Sequence, residues 1–375
     1  MSRALALVVL LVACDQPKLV GTTTTPSSTS SAPMTGKPMD PHISMATLST
    51  EVEFALGKGG VPATLTIPKD DGPWPAVVLM AGSGPTDRNW NNPLLAARNG
   101  SGKLLAEALA KHGMVVLRFD KAGTGKNPGP PLADLTLDTY RDEGLAALAY
   151  LRSRPDVRAD RVFLAGHSEG GIHATRTALA DGKVAGVIYL SAAGRPMVDI
   201  VLDQLESQLR NPAAGLSEAD AKAEVTSLRA AFADFAAGKP VDPTKASKLV
   251  PIQQLVAAIV NPATEKLSRA LLAFDTAAEI AKLTVPVFIF GGGKDVQVDP
   301  ELDGRRLERA LHDGKHDVRF YVGRDADHVL KHETKTQAEL RANLVEVQAN
   351  YNAEGRSLDE PTLKALVDWL AAKSR

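Results

Sequence analysis

The chain has 375 residues, of which 44% are hydrophobic, and its 43 basic and 44 acidic side chains leave a net charge of −1. This length is ample for one core of roughly 250–300 residues plus an insertion. The balanced charge does not indicate binding to nucleic acid or to an anionic surface. No apolar run approaches the roughly 20 residues of a membrane-spanning helix. With a single cysteine the chain forms no intramolecular disulfide, so the fold must depend on its apolar core.

The first 14 residues have the features of a targeting signal. Arg3 supplies a short positive region, residues 4–13 form an apolar stretch too short to span a membrane, and small residues precede Cys14. The sequence LVAC at 11–14 resembles the lipobox of bacterial lipoproteins, whose cysteine is lipidated and becomes the mature N-terminus. This resemblance implies a lipid anchor at Cys14 and a place in the cell envelope, on its periplasmic or outer-surface face. The alternative is an ordinary cleaved signal with a chance cysteine.

Residues 15–48 are expected to form a disordered tether. Most of this segment, GTTTTPSSTSSAPMTGKPMDPHISM at 21–45, is rich in threonine, serine and proline. Such a composition offers almost nothing to bury and cannot offset the entropy of ordering the chain. Its expected role is to connect the anchor with a folded domain; a degenerate terminus without a role is the alternative.

From about Thr50 onwards, short apolar runs alternate with helix-like segments such as 94–112 and 137–152. EVEFAL and VPATLTI flank GKGG, which predicts a β-hairpin. Six later runs are almost continuously apolar, as expected of parallel strands buried on both faces. They are AVVLM (76–80), MVVLRF (114–119), VFLA (162–165), GVIYL (186–190), VPVFIF (285–290) and VRFYV (318–322). The alternation predicts an α/β fold, with a mostly parallel eight-stranded sheet in residues 49–193 and 284–375 and an antiparallel first pair.

The interval 194–283 contains no good strand. The segment SEADAKAEVTSLRAAFADFAA at 217–237 has strong helical spacing instead. The interval is too long for an ordinary connection, so we predict a helical subdomain inserted between strands six and seven. We expect its helices to cover the carboxyl edge of the sheet, where ligands of α/β proteins bind.

Ser168 is the centre of the motif G-x-S-x-G, within LAGHSEGG at 164–171. The motif lies between the run VFLA and a helix expected to begin near Glu169. A nucleophilic serine needs this setting, because it occupies a strained turn whose glycines admit close backbone approach. The alternative is a small residue in a tight turn. The choice depends on whether a base, an acid and an oxyanion site occur elsewhere.

A serine hydroxyl needs a base, and His328 is the best placed of the eight histidines. It follows the last predicted strand, in VGRDADHVL, on a loop at the carboxyl edge of the sheet. His332, one helical turn further, is expected to face solvent or to pack. The spacing of the two histidines suits a metal, but no HExxH motif or third ligand accompanies them, so no metal site is predicted. Helical patterns favour surface or packing roles for the others considered: His112, His173, His312 and His316.

An acid is needed to orient the base. Asp295 ends VPVFIFGGGKD, on the glycine-rich loop after the seventh predicted strand, and is our candidate. Asp199, after the sixth strand, is its rival, and a turn-forming role is the alternative for Asp295. Asp325 and Asp327 are too close in sequence to His328 to be attractive partners.

An oxyanion site is expected in the loop after the third strand. The sequence VVLMAGSGPTDRN provides Gly82-Ser83-Gly84 there, and small residues let backbone N–H groups point at a developing oxyanion. We expect the N–H groups of Ser83 and Glu169 to form the oxyanion hole. A tight glycine turn without a catalytic task is the alternative.

From about residue 50 to the C-terminus the sequence resembles the α/β-hydrolases. The catalytic triads of that family follow the chain order serine, acid, histidine, which is the order of Ser168, Asp295 and His328 here. It is most similar to a bacterial esterase group with AGSGPTDR after the third strand, related to acyl-CoA thioesterases and dienelactone hydrolases. RFDKAGTGKN at 118–127 resembles that family's RxDxRGxGxS loop, with Ala122 replacing arginine and Asn127 replacing serine. The sequence NWNN at 89–92, which overlaps DRN, also departs from the family. The resemblance implies the α/β-hydrolase fold and a cap between strands six and seven. The departures from the family's motifs leave the substrate preference open.

Two glycine-rich segments do not match the residue spacing of a phosphate-binding Walker loop. GTGKN has Asp120 at the first Walker glycine position and Asn127 at the Ser/Thr position, and GGGKD fails similarly. We therefore expect a lipid-anchored serine hydrolase that needs no cofactor, acts on esters of small or medium acyl groups, and forms an acyl-enzyme. Thioesterase, peptidase and acyltransferase activities are alternatives on the same residues. A surface-tethered binding protein with a vestigial site is the alternative from another class.

Overall fold

The computed structural model describes residues 36–42, 44–312 and 316–375. The predicted signal, Cys14 and the tether as far as residue 35 lie outside the described residues. None of the helices in the described ranges is long and apolar enough to cross a bilayer.

Eight strands form one sheet in the order β1-β2-β4-β3-β5-β6-β7-β8. β1 pairs antiparallel with β2, and β2 antiparallel with β4, whereas all later neighbours are parallel. The predicted sheet and its antiparallel first pair are confirmed. The strands are β1 (Thr47–Leu56), β2 (Gly59–Pro68), β3 (Trp74–Met80), β4 (Val115–Phe119), β5 (Val157–His167), β6 (Val187–Leu190), β7 (Val287–Gly292) and β8 (Val318–Gly323).

Helices cover both faces of this sheet, which explains the continuous apolar runs of the central strands. Alternate residues of β3 point to opposite sides: Val78 belongs to one apolar cluster, and Val77 and Leu79 belong to the other. The first cluster includes residues of α2, α3 and α10, and the second includes residues of α1 and α13. These helices are α1 (Ser101–Lys111), α2 (Leu137–Arg152), α3 (Gly170–Asp181), α10 (Arg305–Leu311) and α13 (Glu360–Lys373). A side chain on either face therefore leaves water on folding.

The interval between β6 and β7 is helical and has an apolar core of its own. Leu205, Phe232 and Val256, from three different helices of the interval, pack in that core. The helices are α4 (Met197–Leu209), α5 (Glu218–Ala236), α6 (Pro243–Ala246), α7 (Val250–Ile259), α8 (Glu265–Ala273) and α9 (Thr276–Ile280). Two short helices follow β8, α11 (Gln337–Ala342) and α12 (Leu344–Ala349).

The predicted tether boundary at residue 48 is wrong, because residues 36–42 and 44–48 contact the sheet domain. Met39 is buried in the cluster that contains α1 and α13. The N–H of Met45 donates to the carbonyl of Lys111 at 2.8 Å, and β1 already begins at Thr47. The composition did not reveal these contacts, because a few residues at the end of a polar segment can pair with a preformed domain edge.

The helix expected over 94–112 is shorter than the pattern suggested, since α1 begins at Ser101. Asn92 Oδ1 accepts the N–H of Leu94 at 3.0 Å, and Asn99 Nδ2 donates to the carbonyl of Arg356 at 2.8 Å. Asparagine side chains that bond to backbone groups in this way compete with helix formation. The loop before α1 is consequently tied to the region after β8.

Candidate active site

Ser168 lies in a sharp turn between β5 and α3. Its φ of 53° is in the left-handed region, which costs a non-glycine residue about 1–3 kcal/mol. A Cβ on Gly166 would lie 2.2 Å from the carbonyl oxygen of Gly170, and one on Gly170 would lie 2.4 Å from that of Met80. Only glycine fits at either position. The N–H of Ser168 donates to the carbonyl of Leu190 at 3.0 Å and holds the turn at the carboxyl edge of the sheet.

His328 and Asp295, from the loops after β8 and β7, are in direct contact. His328 Nδ1 donates to Asp295 Oδ2 at 2.8 Å, and both side chains are buried. Asp295 Oδ1 accepts the N–H groups of Gln297 and Val298 at 2.8 and 2.9 Å. Because Nδ1 carries the proton, Nε2 of His328 is left as an acceptor. Ser168 and His328 line the same cavity.

The rival acids have other partners. Asp199, in the first turn of α4, lies 3.4 Å from Arg229 of α5. Asp327 Oδ2 lies 2.8 Å from Arg356, and burial raises the pKa of Asp327. His332 Nδ1 lies 3.2 Å from Asp359. No cluster of three metal-ligating side chains occurs in residues 36–42, 44–312 and 316–375.

The loop after β3 passes beside the serine, as expected of an oxyanion site. A Cβ on Gly82 would lie 3.2 Å from the Cβ of Ser168, and Ser83 lines the same cavity as Ser168. Within the described part of the chain, neither the N–H of Ser83 nor that of Glu169 donates to a protein group. Both N–H groups are therefore without an intramolecular acceptor among the described residues.

A buried charged group that sequence reasoning missed lies behind this loop. Lys121 Nζ donates to the carbonyl of Gly82 at 2.5 Å and lies 3.2 Å from Glu169 Oε1. His173 Nε2 lies 3.2 Å from the same carboxylate oxygen. Burial opposes ionisation of Glu169, but Lys121 and His173 outweigh it and lower the pKa of Glu169 to about 2. Lys121 had no recognisable sequence signal, because no local pattern shows which loops a side chain will join.

His167 was also missed, although it precedes the serine in the motif. Its Nε2 donates to the backbone carbonyl of His328 at 2.9 Å, and its ring stacks on Trp90 with centroids 4.7 Å apart. Burial, with a smaller effect from His328, lowers the pKa of His167 to about 3. This ring is therefore neutral, and it ties the strand of the serine to the loop of the histidine.

The cavity at Ser168 has a volume of about 50 Å³. Its described lining comes from the loops after four strands and from the end of α12 and the residues beyond it, and includes Trp90, Leu95, Gln297, Gln348, Tyr351 and Asn352. No described residue of 194–283 lines it. α4 instead borders a neighbouring cleft of about 550 Å³, together with residues 296–302 and 338–342. Tyr351, in the segment after β8, lies between the cavity and α4. Its hydroxyl accepts a hydrogen bond from Gln297 at 2.8 Å.

Comparisons with known proteins agree with this architecture. The chain is 28% identical to the esterase EstD of Thermotoga maritima over 304 residues, which are 80% of this chain and 64% of EstD. Solved structures of an esterase from Pyrococcus furiosus and of the alpha/beta hydrolase GrgF from Penicillium have TM-scores of 0.51 and 0.50, each at 16% identity. They cover 91% and 87% of this chain, and 99% of each solved chain is matched. Residues 77–339 match the model of the alpha/beta hydrolase family. The chain therefore belongs to the alpha/beta hydrolase family.

Proposed function

We propose that this protein is a serine hydrolase that cleaves carboxylic esters of small acyl groups. The observation that carries the proposal is the hydrogen bond from His328 to Asp295 beside a cavity shared with the strained Ser168. The hydrogen bond leaves Nε2 of His328 free to accept a proton. The buried carboxylate of Asp295 stabilises the imidazolium that forms.

The reaction follows from these positions. His328 Nε2 takes the hydroxyl proton as Ser168 Oγ attacks the ester carbonyl carbon, and the N–H groups of Ser83 and Glu169 stabilise the oxyanion. The protonated His328 then gives its proton to the leaving alkoxide, and an alcohol departs from the acyl-enzyme. A water molecule then gives a proton to the same imidazole as it attacks the acyl carbon. The bond from that carbon to Ser168 Oγ breaks, the imidazolium returns its proton to Oγ, and the carboxylic acid leaves.

Two observations support the substrate class. The relative EstD is named an esterase, and this chain spans 64% of its length. The cavity of about 50 Å³ has room for roughly three to five water-sized groups, at about 10–15 Å³ each. An acyl group of about two to four carbons fits that space, and the larger cleft beside α4 can receive the alcohol part.

The test is covalent labelling. A fluorophosphonate should label the wild-type protein once, at Ser168, and the Ser168→Ala variant should not be labelled. The wild type should also hydrolyse short-chain p-nitrophenyl esters faster than matched thioesters or aminoacyl amides. A folded wild-type protein that neither reacts with the probe nor turns over any of these substrates would overturn the proposal and favour the vestigial binding protein.

We further propose that the catalytic domain is held at a membrane of the cell envelope by lipid on Cys14. The support is the LVAC sequence at 11–14 with the polar segment that follows it. A single acyl chain binds a bilayer only marginally, so stable anchoring requires more than one chain. The domain division that accompanies this proposal is a sheet core, which starts with β1 at Thr47 and is interrupted by a helical cap at 194–283.

A further inference from the structure

Lys121 is a buried cation that has no role in the reaction steps proposed above. It follows β4, and its ammonium group reaches the loop after β3 and the turn after β5 at the same time. We propose that Lys121 is a positioning residue that orients both N–H donors of the oxyanion hole. The inference rests on the function proposed above and deepens it.

The first half of the hole depends on Lys121 through one peptide unit. In a planar trans peptide the carbonyl of Gly82 and the N–H of Ser83 point in opposite directions. Lys121 Nζ donates to that carbonyl at 2.5 Å, a short, charge-assisted bond. The ammonium group thus holds the carbonyl away from the cavity and keeps the N–H of Ser83 directed towards Ser168.

The second half depends on Lys121 through a side chain. Lys121 Nζ lies 3.2 Å from Glu169 Oε1, and these side chains are only 8% and 4% exposed. Glu169 is also the residue whose backbone N–H would complete the hole. One cation therefore fixes the spacing between the two loops that supply the donors.

A purely structural ion pair would not need the bond to Gly82. A buried lysine and glutamate can often be replaced together by apolar groups without loss of stability. The contact with the Gly82 carbonyl, on the reverse side of a donor peptide, is what a catalytic geometry requires. Loss of a single oxyanion donor lowers kcat by about 10²–10³-fold, so misorientation of Ser83 should be measurable.

The test compares Lys121→Met with the double variant Lys121→Met/Glu169→Gln, which leaves no buried charge without a partner. The control is Lys126→Met, because Lys126 is an exposed cation on the same loop. For a short-chain p-nitrophenyl ester, both Lys121 variants should lose about 100-fold in kcat with KM changed by less than about threefold. Inhibition by phenylboronic acid, whose tetrahedral serine adduct places an oxygen in the hole, should weaken in parallel. Lys126→Met should match the wild type.

Folded Lys121 variants that keep kcat within about threefold of the wild type, or that change KM alone, would overturn the inference. If neither variant folds, the wild-type complex with phenylboronic acid decides. Its crystal structure should show one boronate oxygen within about 3.1 Å of both donor nitrogens, with Lys121 still on the Gly82 carbonyl. A Gly82 carbonyl turned away from Lys121 in that complex would refute the proposal. A wild type without esterase activity or boronate binding would instead overturn the proposed function, and this inference with it.

Discussion

Replacing Asp295 with asparagine tests the proposed base and acid most directly. In the structure Asp295 Oδ1 accepts two backbone N–H groups, from Gln297 and Val298, while Oδ2 faces His328 Nδ1. In Asp295→Asn the two N–H groups retain an oxygen at the Oδ1 position, because an amide NH₂ cannot accept them. The NH₂ group must then face Nδ1 of His328.

The amide therefore selects the wrong histidine tautomer. Nδ1 becomes the acceptor and Nε2 carries the proton, so His328 cannot take the proton of Ser168. The same change in a serine protease lowers kcat by about 10⁴-fold. We expect a loss of about 10³–10⁴-fold in kcat, which is roughly 4–5.5 kcal/mol at about 1.4 kcal/mol per tenfold change.

The assay is steady-state hydrolysis of a short-chain p-nitrophenyl ester, with thermal unfolding measured on the same preparations. The matched control is Asp199→Asn, because Asp199 is a partly exposed partner of Arg229 and such pairs contribute about 0–1 kcal/mol to stability. Its kcat should stay within about twofold of the wild type. A reversed order of the two losses, or an Asp295→Asn loss below about tenfold, would refute the assignment of Asp295 as the acid.

Four further predictions follow from individual residues. Ser168→Gly should be more stable to thermal unfolding than Ser168→Ala by about 1–2 kcal/mol, because glycine tolerates the positive φ; equal stabilities would mean that the turn is not strained. The pKa of His167 is lowered to about 3, so the unfolded chain binds a proton that the folded chain does not, and stability should fall as the pH falls from about 6.5 towards 3. Urea unfolding of His167→Gln should show a pH slope smaller by up to about 1.4 kcal/mol per pH unit, and an unchanged slope would contradict this. Tyr351→Ala should enlarge the cavity and move the kcat/KM optimum to longer acyl chains, whereas Ser207→Ala in the neighbouring cleft should leave the optimum in place. Cys14→Ala should shift the protein from the membrane fraction to the soluble fraction or leave it unprocessed, and a wholly soluble, correctly processed wild type would exclude the anchor.

The elements whose sequence signals are local were predicted well. β7 and α2 are examples, because a continuous apolar run and a helical period are properties of neighbouring residues. The turn at Ser168 is another, because glycines on both sides of a serine after a strand leave few conformations. Parallel strands also bring their carboxyl ends to one edge, so the positions of Asp295 and His328 could be inferred from chain order.

The misplaced boundaries share one cause. The start of α1 depends on Asn92 and Asn99, which bond to backbone groups rather than support a longer helix. The ordered end of the predicted tether depends on Met39, which is buried only because a domain edge is present to receive it. In each case a contact with another part of the molecule outweighed the local pattern.

By itself the sequence determined the order and type of the elements, the central sheet, and which residues could act as nucleophile, base and acid. Only the tertiary structure decided which buried groups support them. Lys121 meets the Gly82 carbonyl, and Tyr351 rather than the inserted helices borders the cavity. The physical reason is that periodicity and turn chemistry act between neighbours along the chain. Burial and ion pairing instead depend on which distant loops the finished sheet brings within a few ångströms of one another.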